Sequence, residues 1–394
     1  MNILLVTPAP PFPPRDGAQV MIANLARGLA ARHTLTLATL SAASDAHAPQ
    51  PYFQNAYFFS QRVAPRWRKW AYSFFDALPL WARVHESAEL RAALPEIAAR
   101  AAIHVAHLDT GVLAPYAAAL KNTPTVLAPH DVLTTQLQDR ARHASDWRMR
   151  GAMRVQARKM RRFETRFYPY ATRLCVVTER ERAALQTLAP NLNARVIPNG
   201  VDTDYFAPQA EPGGSDRIGF LGALDYAPNQ HAALYFVKTI FPRIARQLPQ
   251  ATVTLIGRNP SAEIRALAQT PRICVTGTVD DVRPYVASQN ILVAPILEAG
   301  GMKFKVLETL AMGKALVATS AAMEGIAARD GAEFLLADDA ESFAAACVRA
   351  LRDETLRGAL ARKARAWALR HSWENSVAQY EALYQEALDA FVVH

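Results

Sequence analysis

The chain has 394 residues, 51% hydrophobic and 20% charged. That is apolar material for two domain cores, and it excludes wholesale disorder. No apolar run approaches the roughly 18 residues of a membrane span. The opening residues, Met-Asn-Ile-Leu-Leu-Val-Thr, lack the basic region and apolar length expected of a secretory signal. Cys175, Cys274 and Cys347 are the three cysteines. They lie too far apart in sequence for a disulfide framework or a CxxC metal site, and they fit a reducing cytoplasm. The formal net charge is +9, and it is uneven. Residues 1–210 hold 25 Lys and Arg against 15 Asp and Glu, whereas residues 211–394 hold 19 against 20. Residues 147–173 alone carry nine basic side chains and one acid, Glu164. A second basic cluster, Arg62, Arg66, Arg68 and Lys69, is interleaved with Trp67, Trp70, Tyr72, Phe74 and Phe75. Such surfaces attract an anionic partner: a phosphorylated acceptor, an anionic lipid or a nucleic acid.

In chain order, short β-branched or Leu-rich runs predict strands at 2–6, 34–38, 103–108, 125–128, 173–177 and 195–197. Helix-period stretches lie at 18–31, 111–120 and 147–168. The second half predicts strands at 217–221, 252–256, 272–275, 291–294, 316–318 and 333–336, with helices between them. The C-terminal stretch reads as two helices. Alternation of this kind implies an α/β fold with one parallel, doubly wound sheet per half. Residues 204–215, rich in Pro and Gly, predict a linker. Ligands in such folds bind beyond the carboxyl ends of the strands, so loops from both halves are expected to meet in a cleft.

Six segments carry candidate chemistry. The proline-stiffened loop after the first strand ends in Asp16-Gly17. Gly17 permits close backbone approach, and the helix after it offers amides to a phosphate; Asp16 is equally a ready N-cap. No GxGxxG stands there, so a dinucleotide fingerprint is absent. His130, after the fourth predicted strand, can donate to a sugar hydroxyl or a phosphate oxygen, although a loop histidine with Asp131 capping the next helix is commoner. Asp202 and Asp204 spell DxD, but the segment supplies too few oxygens for a divalent cation, and no metal is expected. Gly222 precedes a helix opened by Pro228-Asn229, which suits a phosphate or an ordinary turn. Near Gly277, backbone groups of Thr278 and Val279 can hold a nucleobase, or simply lead into a helix capped by Asp280 or Asp281. The densest stretch is 295–314. Gly300 and Gly301 precede a helix with Lys303 and Lys305 in its first turn, where cations are unfavourable unless an anion sits between them and the amides. Glu308 then interrupts an apolar face. It can accept both ribose hydroxyls of a nucleotide, or pair with a lysine at a solvated helix end.

The segments Pro198-Asn-Gly-Val-Asp-x-x-x-Phe206, Gly222-x-Leu-x-Tyr-x-Pro-Asn229 and Gly300-Gly-x-Lys-x-Lys-Val-Leu-Glu308, with 311–320 and 323–326, resemble family 4 of the retaining glycosyltransferases. The resemblance implies a GT-B fold. Residues 1–205 would form a Rossmann-like acceptor domain, 206–375 a Rossmann-like donor domain, and 376–394 a helix returning to the first. It implies no cofactor beyond the donor, a nucleotide-diphosphate sugar built on UDP or GDP. Glu308 matches the family's ribose-binding glutamate, Gly17 its glycine near the donor phosphates and His130 its donor-sugar histidine. Two features depart from the family. Its paired glutamates have seven residues between them, which would place the first at Gly300; Glu298 is the expected substitute. Its Arg and Lys after the first strand of the second domain are missing, with Gly222-Ala223-Leu224 and Pro228 in their place. Lys303 and Lys305 are therefore expected to meet the phosphate charge.

The expected catalytic set is His130, Lys303, Lys305 and Glu298. The expected donor-binding set is Gly17, Gly222, Thr278, Val279, Gly300, Gly301 and Glu308. The resemblance implies metal-independent, retaining sugar transfer to a hydroxyl, in cell-surface glycan or glycolipid synthesis. The charge pattern adds an anionic or lipid-linked acceptor and a cytoplasmic enzyme that docks peripherally on anionic membrane. Alternatives are a sugar-nucleotide epimerase or phosphorylase of the same fold, or a basic nucleic-acid-binding protein. The last rests on bulk charge alone, without an RRM, KH or zinc-finger signature, and no specific nucleic acid is expected.

Overall fold

The structure is a computed structural model that describes residues 1–41, 50–61, 76–144, 146–210, 214–298 and 302–392. The aromatic-basic cluster at 62–75 and the pair Gly300-Gly301 lie outside the described residues. The chain divides into two compact units, Met1–Asn199 with Trp373–His394, and Gly200–Ser372.

The first unit carries β1 (Asn2–Thr7), β2 (Thr34–Ser41), β3 (Asn55–Ser60), β4 (Val105–Asp109), β5 (Thr125–Ala128), β6 (Arg173–Val176) and β7 (Ala194–Val196), in the order β3-β2-β1-β4-β5-β6-β7. The second carries β8 (Arg217–Leu221), β9 (Thr252–Ile256), β10 (Ile273–Val275), β11 (Ile291–Ala294), β12 (Ala315–Ala318) and β13 (Leu335–Leu336), in the order β10-β9-β8-β11-β12-β13. Pairing is parallel throughout: Ile3 lies opposite Leu35 and Val105, and Ile291 opposite Ile218 and Ala315. Parallel strands need cover on both faces, which is why β1 is buried from Ile3 onward and β11 along its whole length. In each sheet the order of addition reverses beside the first strand. Crevices therefore open beyond the carboxyl ends of β1 and β4, and of β8 and β11.

Two elements differ from the sequence-based expectation. β3 was not expected, because Asn55, Ala56 and Ser60 are exposed and Tyr57, Phe58 and Phe59 only half-buried. An edge strand is covered less and carries a weaker apolar signal. Residues Gly111–Ala119 form a 3-10 helix with Pro115 inside it, not an α-helix. Proline removes an amide that the α-ladder would use.

The helix Trp373–Val392 belongs to the first unit. A Cβ at Gly28, in the helix Gly17–Ala30, would fall 2.5 Å from Val377 Cγ2, so glycine sets the close approach of the two helices. Val377, Tyr380, Leu383 and Tyr384 join Ile3, Leu5, Ile22 and Leu25 in one core.

The basic helix Trp147–Phe167 buries Gln156, Ala157, Met160 and Phe163, and exposes Arg148, Arg154, Arg158, Arg161, Arg162 and Arg166. Its one acid, Glu164, points inward. Thr134 Oγ1 donates to Glu164 Oε2 at 2.5 Å, and Tyr168 Oη lies 3.4 Å from Oε1. Burial outweighs these hydrogen bonds and pushes the carboxyl up to about 7.

In the second unit the loops after β8 and β9 meet backbone to backbone. Gly222 N–H donates to Ile256 O at 3.0 Å, and Leu224 N–H to Arg258 O at 2.9 Å. A Cβ on Gly257 would stand 1.8 Å from Gly222 O. Gly257→Ala is therefore expected to lower stability by roughly 1–3 kcal/mol, the usual cost of overpacking, read as a lower urea midpoint. An unchanged midpoint would contradict the close approach. Glu164 supplies a pH-dependent test. The unfolded chain loses its proton near the ordinary 4.5, whereas the folded chain keeps it to about 7. The folded state thus binds the extra proton in that window, and its stability falls as pH rises from about 4.5 to about 7. In Glu164→Gln that part of the fall disappears, so denaturation curves across pH converge toward or cross the wild type. Parallel pH profiles would refute the assignment.

Candidate functional site

In the second unit the site is built on the helix Phe304–Ala311, which follows the β11 loop. Val306, Leu307, Leu310 and Ala311 bury its apolar face in the core. Lys303 occupies the N-cap position without a side-chain capping bond. Lys305 and Glu308, three apart and so neighbours on the helix surface, are half-buried. Lys305 Nζ donates to Asn229 Oδ1 and stands 5.1 Å from the centre of the Phe220 ring. Asn229 sits in the first turn of the helix Ala227–Tyr235. Its Nδ2 donates to Ala223 O at 2.9 Å, which turns Oδ1 toward the lysine. A Cβ on Gly222 would fall 2.9 Å from that Nδ2, so glycine makes room for the amide. Asn229 thereby ties the β8 loop to the helix after β11, across the crevice between these strands.

Burial pushes Lys305 down to about 7; Lys303 adds to the effect and Glu308 opposes it. Burial likewise pushes Glu308 up to about 7, with Lys305 opposing. The Glu308 carboxylate accepts no hydrogen bond from the described residues. A half-buried acid without a donor is costly unless something completes it, and such groups concentrate at functional sites. An anion beside the lysines would favour the charged ammonium, and hydroxyl donors would satisfy the acid.

The other expected residues of this unit lie around this core. Thr278 is exposed and its Oγ1 accepts from Asn259 N–H at 3.4 Å; Val279 is half-buried beside it. Both follow Gly277, whose φ of +70° is natural for glycine. Asp281, not Asp280, accepts from Arg283 N–H at 2.9 Å at the start of the next helix. Glu298 Oε1 lies 2.9 Å from His231 Nδ1, with the side chains 55% and 62% exposed, so the pair is open to solvent. Asp202 Oδ1 accepts from Tyr205 N–H at 3.0 Å, a local turn. Among the described residues, no three of His, Cys, Asp and Glu gather as a metal site.

In the first unit, Gly17 is the exposed first residue of its helix. Asp16 Oδ1 accepts from Gln19 N–H at 2.9 Å, and Gln19 Oε1 accepts from Arg15 N–H at 2.8 Å. Asp16 therefore caps the helix, and Gln19 reaches back to the residue before the cap. His130 lies just beyond β5, with Nε2 2.7 Å from Asp109 Oδ1 at the end of β4. Burial alone would lower the His130 pKa, but Asp109, by charge and hydrogen bond, and Asp131, by charge, carry it above the ordinary value. His130 Nδ1 is buried, with no hydrogen-bond partner among the described residues. Asp131 does not cap the helix Leu133–His143. Val132 N–H instead donates to Glu181 Oε2 at 2.6 Å, and Thr134 N–H approaches Glu164 Oε1 at 3.4 Å. Two carboxylates from distant helices take the cap's place. Thr110, next to Asp109, has φ 84° and ψ 144°, a backbone region close to glycine's own that costs an L-residue about 1–3 kcal/mol.

Lys305, Glu308 and Gly222 thus come together through Asn229, while Gly17 and His130 belong to the first unit. Two residues escaped notice. Asn229 was visible inside a motif but had no assigned task. Asp109 could have been found as an acid ending an apolar strand at its carboxyl end.

Residues 15–205 match the sequence profile described as Glycosyltransferase Family 4, and residues 215–353 the one described as Glycosyl transferases group 1. The chain is 29% identical over 199 residues to a phosphatidyl-myo-inositol mannosyltransferase of Mycolicibacterium smegmatis, covering 48% of this chain and 51% of that one. It thus spans about half the length of the curated relatives it matches. Among solved structures, Anabaena HepE in complex with UDP superposes with a TM-score of 0.72 at 15% identity, over 98% of this chain and 100% of that one. Sucrose-phosphate synthase from Thermosynechococcus elongatus also gives 0.72, at 18% identity, over 99% and 100%. These likenesses establish the GT-B fold with its two Rossmann-like sheets. With both units matched by glycosyltransferase profiles, the chain belongs to the family 4, group 1 glycosyltransferases.

Proposed function

We propose that this protein moves a sugar from a nucleotide-diphosphate sugar, on UDP or GDP, to a hydroxyl acceptor with retained anomeric configuration. The observation that carries this is the Lys305–Glu308 pair: an ammonium whose charge burial suppresses, beside a half-buried carboxyl with no donor from the described residues. A nucleoside diphosphate completes both. Its ribose hydroxyls donate to Glu308, and its phosphates favour the charged form of Lys305. Lys303 and the helix amides add positive potential where charge grows on the departing diphosphate. Gly17, Gly222, Gly300 and Gly301 allow backbone to approach the phosphates, and Thr278 and Val279 face the base. His130 and Glu298 address the donor sugar. The lysines and amides meet the leaving-group charge, so no metal is assigned. Attack is on the face the diphosphate leaves, with a departing phosphate oxygen taking the acceptor proton. The unit Gly200–Ser372 holds the donor and the unit Met1–Asn199 the acceptor. HepE, crystallised with UDP, supports the donor class.

The acceptor is lipid-linked, in glycolipid or cell-surface glycan synthesis. The mannosyltransferase relative, named for a phosphoinositide lipid, supports this. So does the helix Trp147–Phe167, whose outward arginines lie beside Trp147, 74% exposed, and Met149, 51% exposed. Cations with an apolar foot suit an anionic membrane surface on the cytoplasmic side. No described helix is long and apolar enough to cross a membrane; a peripheral association fits this charged surface.

In steady-state kinetics with the productive sugar nucleotide, Glu308→Ala is expected to raise the donor KM tenfold or more and to spare kcat comparatively. Lys303→Ala and Lys305→Ala are expected to lower kcat by about 10²-fold or more, as for loss of an electrostatic stabiliser. Near-wild-type kinetics in both lysine variants would overturn the phosphate assignment. In sedimentation assays the protein is expected to pellet with anionic but not zwitterionic liposomes, and to be released by salt. Replacing Arg154, Arg158, Arg161 and Arg162 together with Gln should weaken pelleting. Equal pelleting with both lipids would refute the electrostatic docking.

A further inference from the structure

We propose that Asp109 is a positioning residue for the transfer reaction: its carboxylate, at the carboxyl end of β4, holds His130 through Nε2 and leaves Nδ1 as the ring nitrogen that a ligand oxygen can engage. The role in transfer rests on the glycosyl-transfer assignment above; the contact itself does not.

The pair is held by backbone on both sides. Asp109 lies opposite Ala128 in the β4–β5 ladder. Ala128 O accepts from Thr110 N–H at 2.9 Å and from His130 N–H at 3.0 Å. One carbonyl thus fixes the residue after the acid and the histidine itself. Thr110 keeps its unfavourable φ at this same point, so the surrounding structure over-determines the end of the strand. The Asp109 side chain is 2% exposed, so bulk solvent does not compete for it.

The groups packed around Asp109 do not compete for it. His107, two residues earlier on the same face of β4, is fully buried, and its Nδ1 lies 3.0 Å from Tyr384 Oη. Burial pushes His107 down to about 4, so it is neutral. Cys175 of β6, and Tyr380 and Tyr384 of the C-terminal helix, are all pushed upward by burial and stay protonated. Asp131 is the other carboxylate whose charge reaches His130, and it lies on the histidine's own loop. Asp109 therefore faces one group able to become its cation, the His130 ring. With Nε2 committed at 2.7 Å, Nδ1 is the nitrogen that remains, shielded and without a partner among the described residues. When the ring is charged, Nδ1–H is a donor in need of an acceptor. A sugar hydroxyl or a phosphate oxygen of the donor supplies one.

The test is Asp109→Asn in the full chain, which keeps shape and removes charge. His130 is followed by NMR titration and assigned by its absence from His130→Gln. In Asp109→Asn its inflection is expected to fall by roughly one pH unit or more, the usual effect of losing an adjacent opposite charge. The kcat is expected to drop tenfold or more, and the inflection in kcat/KM that His130→Gln abolishes should move to lower pH. In the His130→Gln background, Asp109→Asn should cost nothing further. An unmoved His130 inflection, or an equal loss of kcat in both backgrounds, would overturn the proposal. So would a wild-type His130 that titrates at or below the ordinary histidine range, a measurement that needs no variant to fold. The NMR arm needs no substrate, so a protein that shifts His130 correctly but turns over no sugar nucleotide refutes glycosyl transfer and leaves the Asp109 contact standing.

Discussion

A charge removed from water must find a partner or lose its proton, and the second unit of this protein carries two groups that do neither fully. Lys305 is held by an amide oxygen and an aromatic face, not by a carboxylate. Glu308, one turn on, has an attracting lysine and no hydrogen-bond donor from the described residues. Burial drives the two in opposite directions to the same place, near neutrality. Neither group gains much for stability from this arrangement. A hydrophobic pair of similar volume would pack as well without the desolvation cost. Under the proposed function the arrangement gains its value when a diphosphate and a diol arrive together, because each then supplies what one of the two lacks.

The scaffold that holds this incomplete pair is backbone. Asn229 can present its oxygen to Lys305 only because Gly222 leaves space for its amide nitrogen. Gly222 in turn is positioned by the ladder it continues with the β9 loop, where Gly257 admits its carbonyl. Two loop glycines and a helix-opening asparagine, none of them ionisable, thus set the address of one cation. Preorganised dipoles of this kind need not reorganise as charge develops, which is the basis of electrostatic stabilisation in enzymes.

The strands of both sheets were legible because parallel β-structure buried on two faces writes itself as continuous apolar runs, as at 291–294 and 125–128. The edge strand β3 did not, since its residues are only partly covered. Lys303, Lys305 and Glu308 were legible because each breaks a local rule: cations at the positive end of a helix, and an acid on its apolar face. Asn229 and Asp109 break no such rule. An asparagine opening a helix and an aspartate ending a strand are ordinary by propensity, and their work appears only when the fold brings Lys305 to one and His130 to the other. Local capping was misleading at Asp131, where the obvious N-cap is passed over for Glu181 and Glu164. Those carboxylates come from helices far along the chain, so no short sequence pattern records them.

The two units treat buried charge differently. In the second, cation and acid stand side by side but do not close into an ion pair, which leaves each responsive to a ligand. In the first, Asp109 and His130 close at 2.7 Å, among neighbours that burial keeps neutral. A closed pair fixes orientation before any ligand binds, whereas an open one adjusts its proton count to the ligand. Gripping a diphosphate that must later be released favours the adjustable kind. Under the proposed function, directing one nitrogen at a sugar or phosphate oxygen favours the fixed kind, because a ring that could turn would present the oxygen with the wrong edge.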